Sequence, residues 1–280
     1  MEILGELLWA LDADMTVPNP YGTFHLSFFL TSILSVFGLM SRHPNPDSGF
    51  IRKLLLVCSV AVILLEVYKQ INFNFHYDGS TITFDYQWYA FPFQFCSTPM
   101  YVGLLASVTG NKGLHERLCA YLATYGLFAG ICVMLYPVSV FVDTIGINIQ
   151  TMICHGSMVT IGLYLLASGA VKPELSTLKK ALPVFCTLVA IAVVMNEMAY
   201  QADLPEGAVF NMFFLSPHYP PELPVFSLIQ PLVPFPVSLL IYILAFTAGS
   251  GVLILMGKGV QLLHHRLFAQ KRITPWFAQC

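Results

Sequence analysis

Two side chains able to do covalent chemistry together, a thiol and an imidazole, stand inside apolar stretches of this sequence. Cys96 lies within WYAFPFQFCSTPMYVGLLASV and His155 within NIQTMICHG. A thiol in apolar surroundings is a poor nucleophile unless a nearby base takes its proton as it attacks, and histidine is the usual base. A carboxylate or amide can then orient the second ring nitrogen, and amides can stabilise a developing oxyanion. Glu66, Glu197, Asn196, Gln94 and Asn148 are of the right type for these tasks. The same residues also have plainer uses. Cysteine in membrane spans is commonly a small apolar filler, as Cys58, Cys119, Cys132, Cys154 and Cys186 would be. Glu66 and Lys69, three apart on one helical face, can neutralise each other. His25, His155, Cys96, Cys154 and Glu66 show no metal-ligand spacing, so no metal is expected.

The elements that must position these groups are read from composition. Of 280 residues, 56% are hydrophobic and 10% charged, and the mean hydropathy is +0.71. Soluble domains carry roughly a quarter charged residues, so the expected class is an all-α polytopic membrane protein. Seven spans are expected, at about 23–40, 51–71, 88–108, 118–140, 148–167, 177–200 and 237–256, forming a single transmembrane domain over residues 1–280. The first twenty residues hold Glu2, Glu6, Asp12 and Asp14 but no lysine or arginine, which argues against a cleavable signal peptide. Met1 to Ala13 reads as a short interfacial helix.

Twelve of the 13 lysines and arginines fall between spans one and two, three and four, and five and six, or after span seven. The intervening loops hold Asp78, Asp85, Asp143, Asp203, Glu206 and Glu222 without a basic residue. That asymmetry predicts an external N-terminus and a cytoplasmic C-terminus.

Within this frame the polar residues of the spans gather towards the outer leaflet: Glu66, Lys69 and Gln70 of span two, Gln94 and Cys96 of span three, Tyr136 at the end of span four, Asn148, Gln150 and His155 of span five, Asn196 and Glu197 of span six, and His25 of span one. Buried ionisable groups are expensive in a membrane and by default face one another, so a single outward-opening polar cavity is expected. Pro92 and Pro99 break span three beside Cys96 and leave the carbonyls of Trp88 and Phe95 without their helical donors. The 201–236 loop, with eight prolines, is expected to cap the cavity, and 76–86 to form a hairpin around Asp78-Gly79. Gly126 with Gly130, and Ala245 with Gly249, have the spacing of close helix contacts.

The runs YQWYAFPFQFCSTPMYVG, MLYPVSVF, TIGINIQTMICHG and NEMAY followed by FNMFFLSPH resemble the YwaF-type family of bacterial integral membrane proteins. That family is related to animal transmembrane protein 164, an acyltransferase that uses a membrane-embedded cysteine and histidine to move fatty acyl chains between phospholipids. The resemblance implies Cys96 as the acyl-accepting thiol and His155 as its base. Gln94, Glu66, Lys69, Tyr136, Asn148, Gln150, Asn196, Glu197 and Asn211 would be supporting or substrate-binding residues. A multi-pass protein of the bacterial cytoplasmic membrane is expected, with membrane lipids as partners and with neither cofactor nor nucleic acid. Gln94 and Cys154 stand where relatives often carry histidine. The competing reading is a transporter or small-molecule-binding membrane protein without covalent chemistry, with Glu66, Glu197, Asn196 and Gln94 as ligands. A retinal protein is disfavoured because span seven has no buried lysine, and a zinc hydrolase because too few histidines lie at depth.

Overall fold

The computed structural model describes residues 2–137, 140–220, 223 and 225–269. Val138 and Ser139 of the expected fourth span, Glu222, Lys271 and Arg272 lie outside the described residues. The chain is mostly helical. An N-terminal helix α1 (Glu2–Leu11) is followed by α2 (Thr23–Arg42) and α3 (Ser48–Asn74). A two-stranded hairpin comes next, β1 (Phe75–Tyr77) pairing antiparallel with β2 (Ile82–Phe84). Then come α4 (Thr98–Val108), α5 (Lys112–Leu135), α6 (Ile145–Ala167), α7 (Leu175–Gln201) and α8 (Phe235–Ala269). Among the described residues, five helices are long and apolar enough to cross a membrane: α2, α5, α6, α7 and the Phe235–Gly259 part of α8.

Local chemistry sets the boundaries. Asp47 Oδ1 accepts from the Phe50 N–H at 2.7 Å and Asn111 Oδ1 from the Leu114 N–H at 3.0 Å, capping α3 and α5. The guanidinium of Arg52 donates to the carbonyls of Ala106, Ser107 and Thr109 at 3.2, 3.2 and 2.6 Å, satisfying the last turn of α4. Pro137 stands two residues past the end of α5, and Pro234 and Pro236 frame the start of α8.

Helices α5 and α6 form the centre. Their apolar stretches are 72% and 61% buried, against 11%, 22% and 17% for α2, α7 and α8, which therefore surround them. Small residues allow the close packing. A side chain on Gly130 would meet the Cβ of Met158 at 2.8 Å and the His155 carbonyl at 3.1 Å, and one on Gly162 would meet the Cβ of Leu127 at 2.6 Å. Gly249 is held against the Phe128 ring. Gly126 is less crowded, with its nearest neighbour at 3.6 Å. Inside α5, residues Leu122–Gly126 form a π-helical turn, the kind of local widening that recurs at functional sites.

Span three is corrected. Only Thr98–Val108 is regular helix; Trp88–Ala90 is a single 3₁₀ turn and 91–97 is turn and coil. Two helix-disrupting prolines within eight residues account for this. The fourth span also differs, since its helix begins at Lys112 and ends at Leu135 rather than running over 118–140.

The 201–236 loop packs onto that broken segment. Phe213 stacks on Phe95 with ring centroids 5.1 Å apart, and Phe210 lies 5.3 Å from Phe91. Asn196, fully buried, grips the loop by its backbone: its Oδ1 accepts from the Met212 N–H at 2.7 Å and its Nδ2 donates to the Met212 carbonyl at 3.0 Å. Phe213 and Phe214 sit at φ 59° and 55°, a left-handed conformation costly for bulky residues.

Two predictions follow from these anchors. Asn196→Ala strands the Met212 amide and carbonyl in a buried site and should cost about 2–4 kcal/mol, read as a lowered midpoint of thermal unfolding in detergent; an unchanged midpoint contradicts the clamp. In the hairpin, Asp78 accepts from the amides and hydroxyls of Thr81 and Ser80, which hold its carboxyl well below the ordinary range. A depressed folded value means this stabilisation is complete above the ordinary aspartate pKa of about 4 and is lost only as pH falls through the lower folded value. Amide exchange at Ser80 and Thr81 should therefore stay slow on acidification to about pH 4, and Asp78→Ala should speed it at neutral pH.

Candidate functional site

The site is built on one face of α3. Glu66, Gln70 and Asn74 recur every four residues and so stand in a row. Glu66, 4% exposed, accepts at Oε1 from Lys69 Nζ at 2.7 Å and from Gln70 Nε2 at 3.0 Å. Gln70 Nε2 also donates to the Ala90 carbonyl at 2.7 Å. Asn74 donates to the Gln70 carbonyl at 2.6 Å and accepts the Gln87 N–H at 2.6 Å. The row thus ties the chain at 87–90 to α3. A buried pair of this kind pays a large desolvation cost, and its integrity depends on both partners.

The segment leading to α4 has its carbonyls taken up one by one. The Trp88 carbonyl accepts from the Phe91 N–H at 3.2 Å, and that of Tyr89 from Gln94 Nε2 at 2.9 Å. Pro92 accepts from the Tyr101 hydroxyl at 2.8 Å, and Phe95 from the Thr98 hydroxyl at 2.9 Å, which also meets the Tyr121 hydroxyl at 3.0 Å. The two carbonyls expected to lack donors are therefore satisfied from nearby in the chain. Gln94 Oε1 is buried without a partner among the described residues.

Cys96 opens onto a narrow cavity with about 20 Å³ of free room, enough for roughly one water. Its walls come from α3 (Cys58, Val62), from Met100, from the π-turn of α5 (Leu122, Gly126) and from α6 (Cys154, Ser157, Met158). Cys154 Sγ donates to the Cys96 carbonyl at 3.5 Å, so α6 touches the broken segment at this point.

His155 is the next residue on α6, about 100° further round the helix, and it does not line the Cys96 cavity. It is 5% exposed, and its Nδ1–H donates to the Thr151 carbonyl at 2.8 Å. The expected orienting carboxylate or amide is thus replaced by a backbone carbonyl one turn earlier, which lies within reach of any histidine ring folded back along its own helix. In a neutral ring this bond leaves the lone pair on Nε2, which has no hydrogen-bond partner among the described residues.

The remaining candidates do not join a single cavity. Asn148 bridges both backbone groups of Val142, at 2.9 and 2.7 Å, and reaches Met15 Sδ at 3.1 Å, so it shapes the 141–147 loop. Asn196 and Asn211 hold the long loop, Asn211 Oδ1 accepting from the Ser216 N–H at 2.9 Å. Glu197, with a side chain 49% exposed, pairs with His218 Nε2 at 2.9 Å and with Gln201 at 2.8 Å, away from Cys96. Gln150 is buried beside Thr151, and Tyr136 is 58% exposed. His25 accepts the Tyr21 N–H at Nδ1 and donates from Nε2 to the Met134 carbonyl at 3.0 Å, closing the end of α5. Among the described residues, no three His, Cys, Asp or Glu side chains form a metal-binding group. The part played by Cys58 and Cys154 in the cavity, and the His218–Glu197 pair, were not singled out from sequence; the only signal for His218 was its place in the FLSPH run.

Glu66→Gln should leave the Lys69 charge buried without its counter-ion and cost about 3 kcal/mol or more, whereas Glu66→Gln with Lys69→Met should recover most of the loss. Thermal unfolding of the two variants in one detergent checks this, and a double variant no more stable than the single one contradicts it.

The TMEM164 family model matches residues 20–254. No curated protein and no solved structure matches the chain. Since the matched stretch runs from just before α2 into α8, across every element that frames Cys96 and His155, the chain belongs to the TMEM164 family and is a multi-pass membrane protein.

Proposed function

We propose that this chain is an intramembrane acyltransferase that moves fatty acyl chains between phospholipids at the extracytoplasmic leaflet, with Cys96 as nucleophile and His155 as base. The observation that carries the reading is Cys96 itself: a thiol facing a small cavity at the break between Trp88 and α4, with a histidine on the adjoining helix whose Nε2 has no hydrogen-bond partner among the described residues. In the first half-reaction Cys96 Sγ attacks the ester carbonyl carbon of a donor phospholipid while His155 Nε2 accepts the thiol proton. The carbon–oxygen bond breaks, the proton passes to the departing glycerol oxygen, and a thioester and a lysolipid result. In the second, the hydroxyl of an acceptor lipid gives its proton to Nε2 and attacks the thioester, and the thiolate leaves and is reprotonated. The surrounding bilayer keeps water low and so favours transfer over hydrolysis.

The topology that suits this role has seven crossings in one transmembrane domain. Helix α3, 27 residues and so about 40 Å long, would cross with its charges paired, and the broken 88–108 segment would supply the other crossing beyond the five apolar helices. The distribution of lysine and arginine orients the N-terminus outward and the C-terminus to the cytoplasm. Membrane lipids would be the partners, and a bacterial cytoplasmic membrane, with YwaF-type relatives, the setting.

A second reading is favoured by one observation: His155 does not line the Cys96 cavity. A transporter or a protein that binds a lipid or small polar solute at Glu66 and Gln94, with Cys96 merely packed, needs no such contact. The purified protein in vesicles, given a donor phospholipid with a labelled acyl chain, separates the two. Transfer to lysolipid that vanishes in Cys96→Ala and falls roughly 10²- to 10⁴-fold in His155→Ala supports the enzyme, as does a hydroxylamine-sensitive label on Cys96. No label on Cys96 and no transfer sinks it and leaves the binding reading.

A further inference from the structure

Outside the Cys96 cavity, α3 and the chain leading into α4 leave a larger groove, of about 300 Å³, at the low end of the size of small-molecule pockets. Ile63, Val67, Ile71, Pro92, Met100 and Tyr101 supply apolar walls. Glu66 and Gln70 stand at one side; the hydrogen bond and ion pair of the Glu66 carboxylate are made at Oε1, which leaves Oε2 towards further donors.

Three features identify the occupant. First, the mouth opens on a lipid-type surface: Val67 is 50% exposed and continues a stripe of Leu56, Val57, Val60 and Leu64 along one face of α3. In a membrane-spanning chain such a stripe meets hydrocarbon rather than water. Second, the groove and the Cys96 cavity share a wall, because Met100 lines both and is 4% exposed. Third, methionine is unbranched and flexible, so it can yield to a chain that a branched or aromatic residue would stop.

We infer that the groove between α3 and α4 seats the hydrocarbon chain of a membrane lipid and that Met100 is the partition controlling how far that chain reaches towards Cys96. The inference deepens the acyl-transfer reading and rests on it for what happens to the chain. The seat itself can be tested without any chemistry. With a chain lying along Ile63 and Val67, Glu66 Oε2 is placed to accept a hydrogen bond from a hydroxyl or ammonium of the same lipid.

The test uses the full chain in detergent with an equimolar phospholipid bearing a photoactivatable diazirine on its acyl chain, and peptide mapping of the products. Cross-links concentrated at Ile63, Val67, Met100 or Tyr101, in both the native protein and Cys96→Ala, support the seat. Cross-links spread evenly over other exposed apolar residues such as Leu26, Leu30 and Leu34 overturn it. Products joining two copies of the chain through Val67 or Tyr101 also overturn it, since the groove would then belong to a second copy. For the partition, alkylation of Cys96 by a long-chain maleimide should rise about tenfold in Met100→Ala and fall about tenfold in Met100→Trp; equal rates in the three proteins overturn it. Groove cross-links without any acyl transfer would support the seat while refuting the transferase.

Discussion

A peptide carbonyl buried away from water must find its donor within the protein, and the chain between Trp88 and Pro99 is where this constraint weighs most. Two prolines deny it a helical ladder, so neighbouring groups supply the donors: Gln70 to Ala90, Gln94 to Tyr89, Tyr101 to Pro92, Thr98 to Phe95 and Cys154 to Cys96. These donors come from three helices as well as from the segment itself. The polar row on α3 is explained by this task at least as well as by catalysis. A thiol held on so fully tethered a stretch has little freedom, which is what a positioned nucleophile requires.

Aromatic packing fixes the other side of the same segment. Tyr125 stacks on Phe185 with centroids 4.3 Å apart, Tyr242 lies 4.5 Å from Phe246, and Phe95 joins Phe246 at 5.0 Å and Phe213 at 5.1 Å. The column links α5, α7 and α8 to the broken segment and to the long loop. Phe213 fills its place in that column with its backbone in a left-handed conformation, a strain of order 1 kcal/mol or more that the stacking and the Asn196 clamp together offset.

Much of the frame could be read in the residues. Apolar runs located α2, α3, α6 and α7 to within three positions at either end, Asp78-Gly79 announced the hairpin, and Pro92 with Pro99 announced the break beside Cys96. What could not be read was facing. Cys154 and His155 are adjacent in sequence yet about 100° apart on α6, so the pattern alone did not reveal that the thiol, and not the imidazole, lines the Cys96 cavity. Nor does a buried amide declare its partner: Asn148 and Asn196 looked like ligands because polar side chains are rare in spans, and both turned out to clamp backbone. The partner of Glu197, His218, lies 21 residues away across a loop, beyond any helical spacing that a sequence pattern could reveal.

The pairing of Glu66 with Lys69 has a consequence for how this protein meets an energised membrane. A lone charge displaced across the bilayer exchanges about 2.3 kcal/mol with each 100 mV of membrane potential. Opposite charges one helical turn apart at nearly equal depth cancel that work when α3 shifts or tilts as a unit. The Glu66–Lys69 pair in the wall of the groove therefore adds almost no voltage dependence of its own.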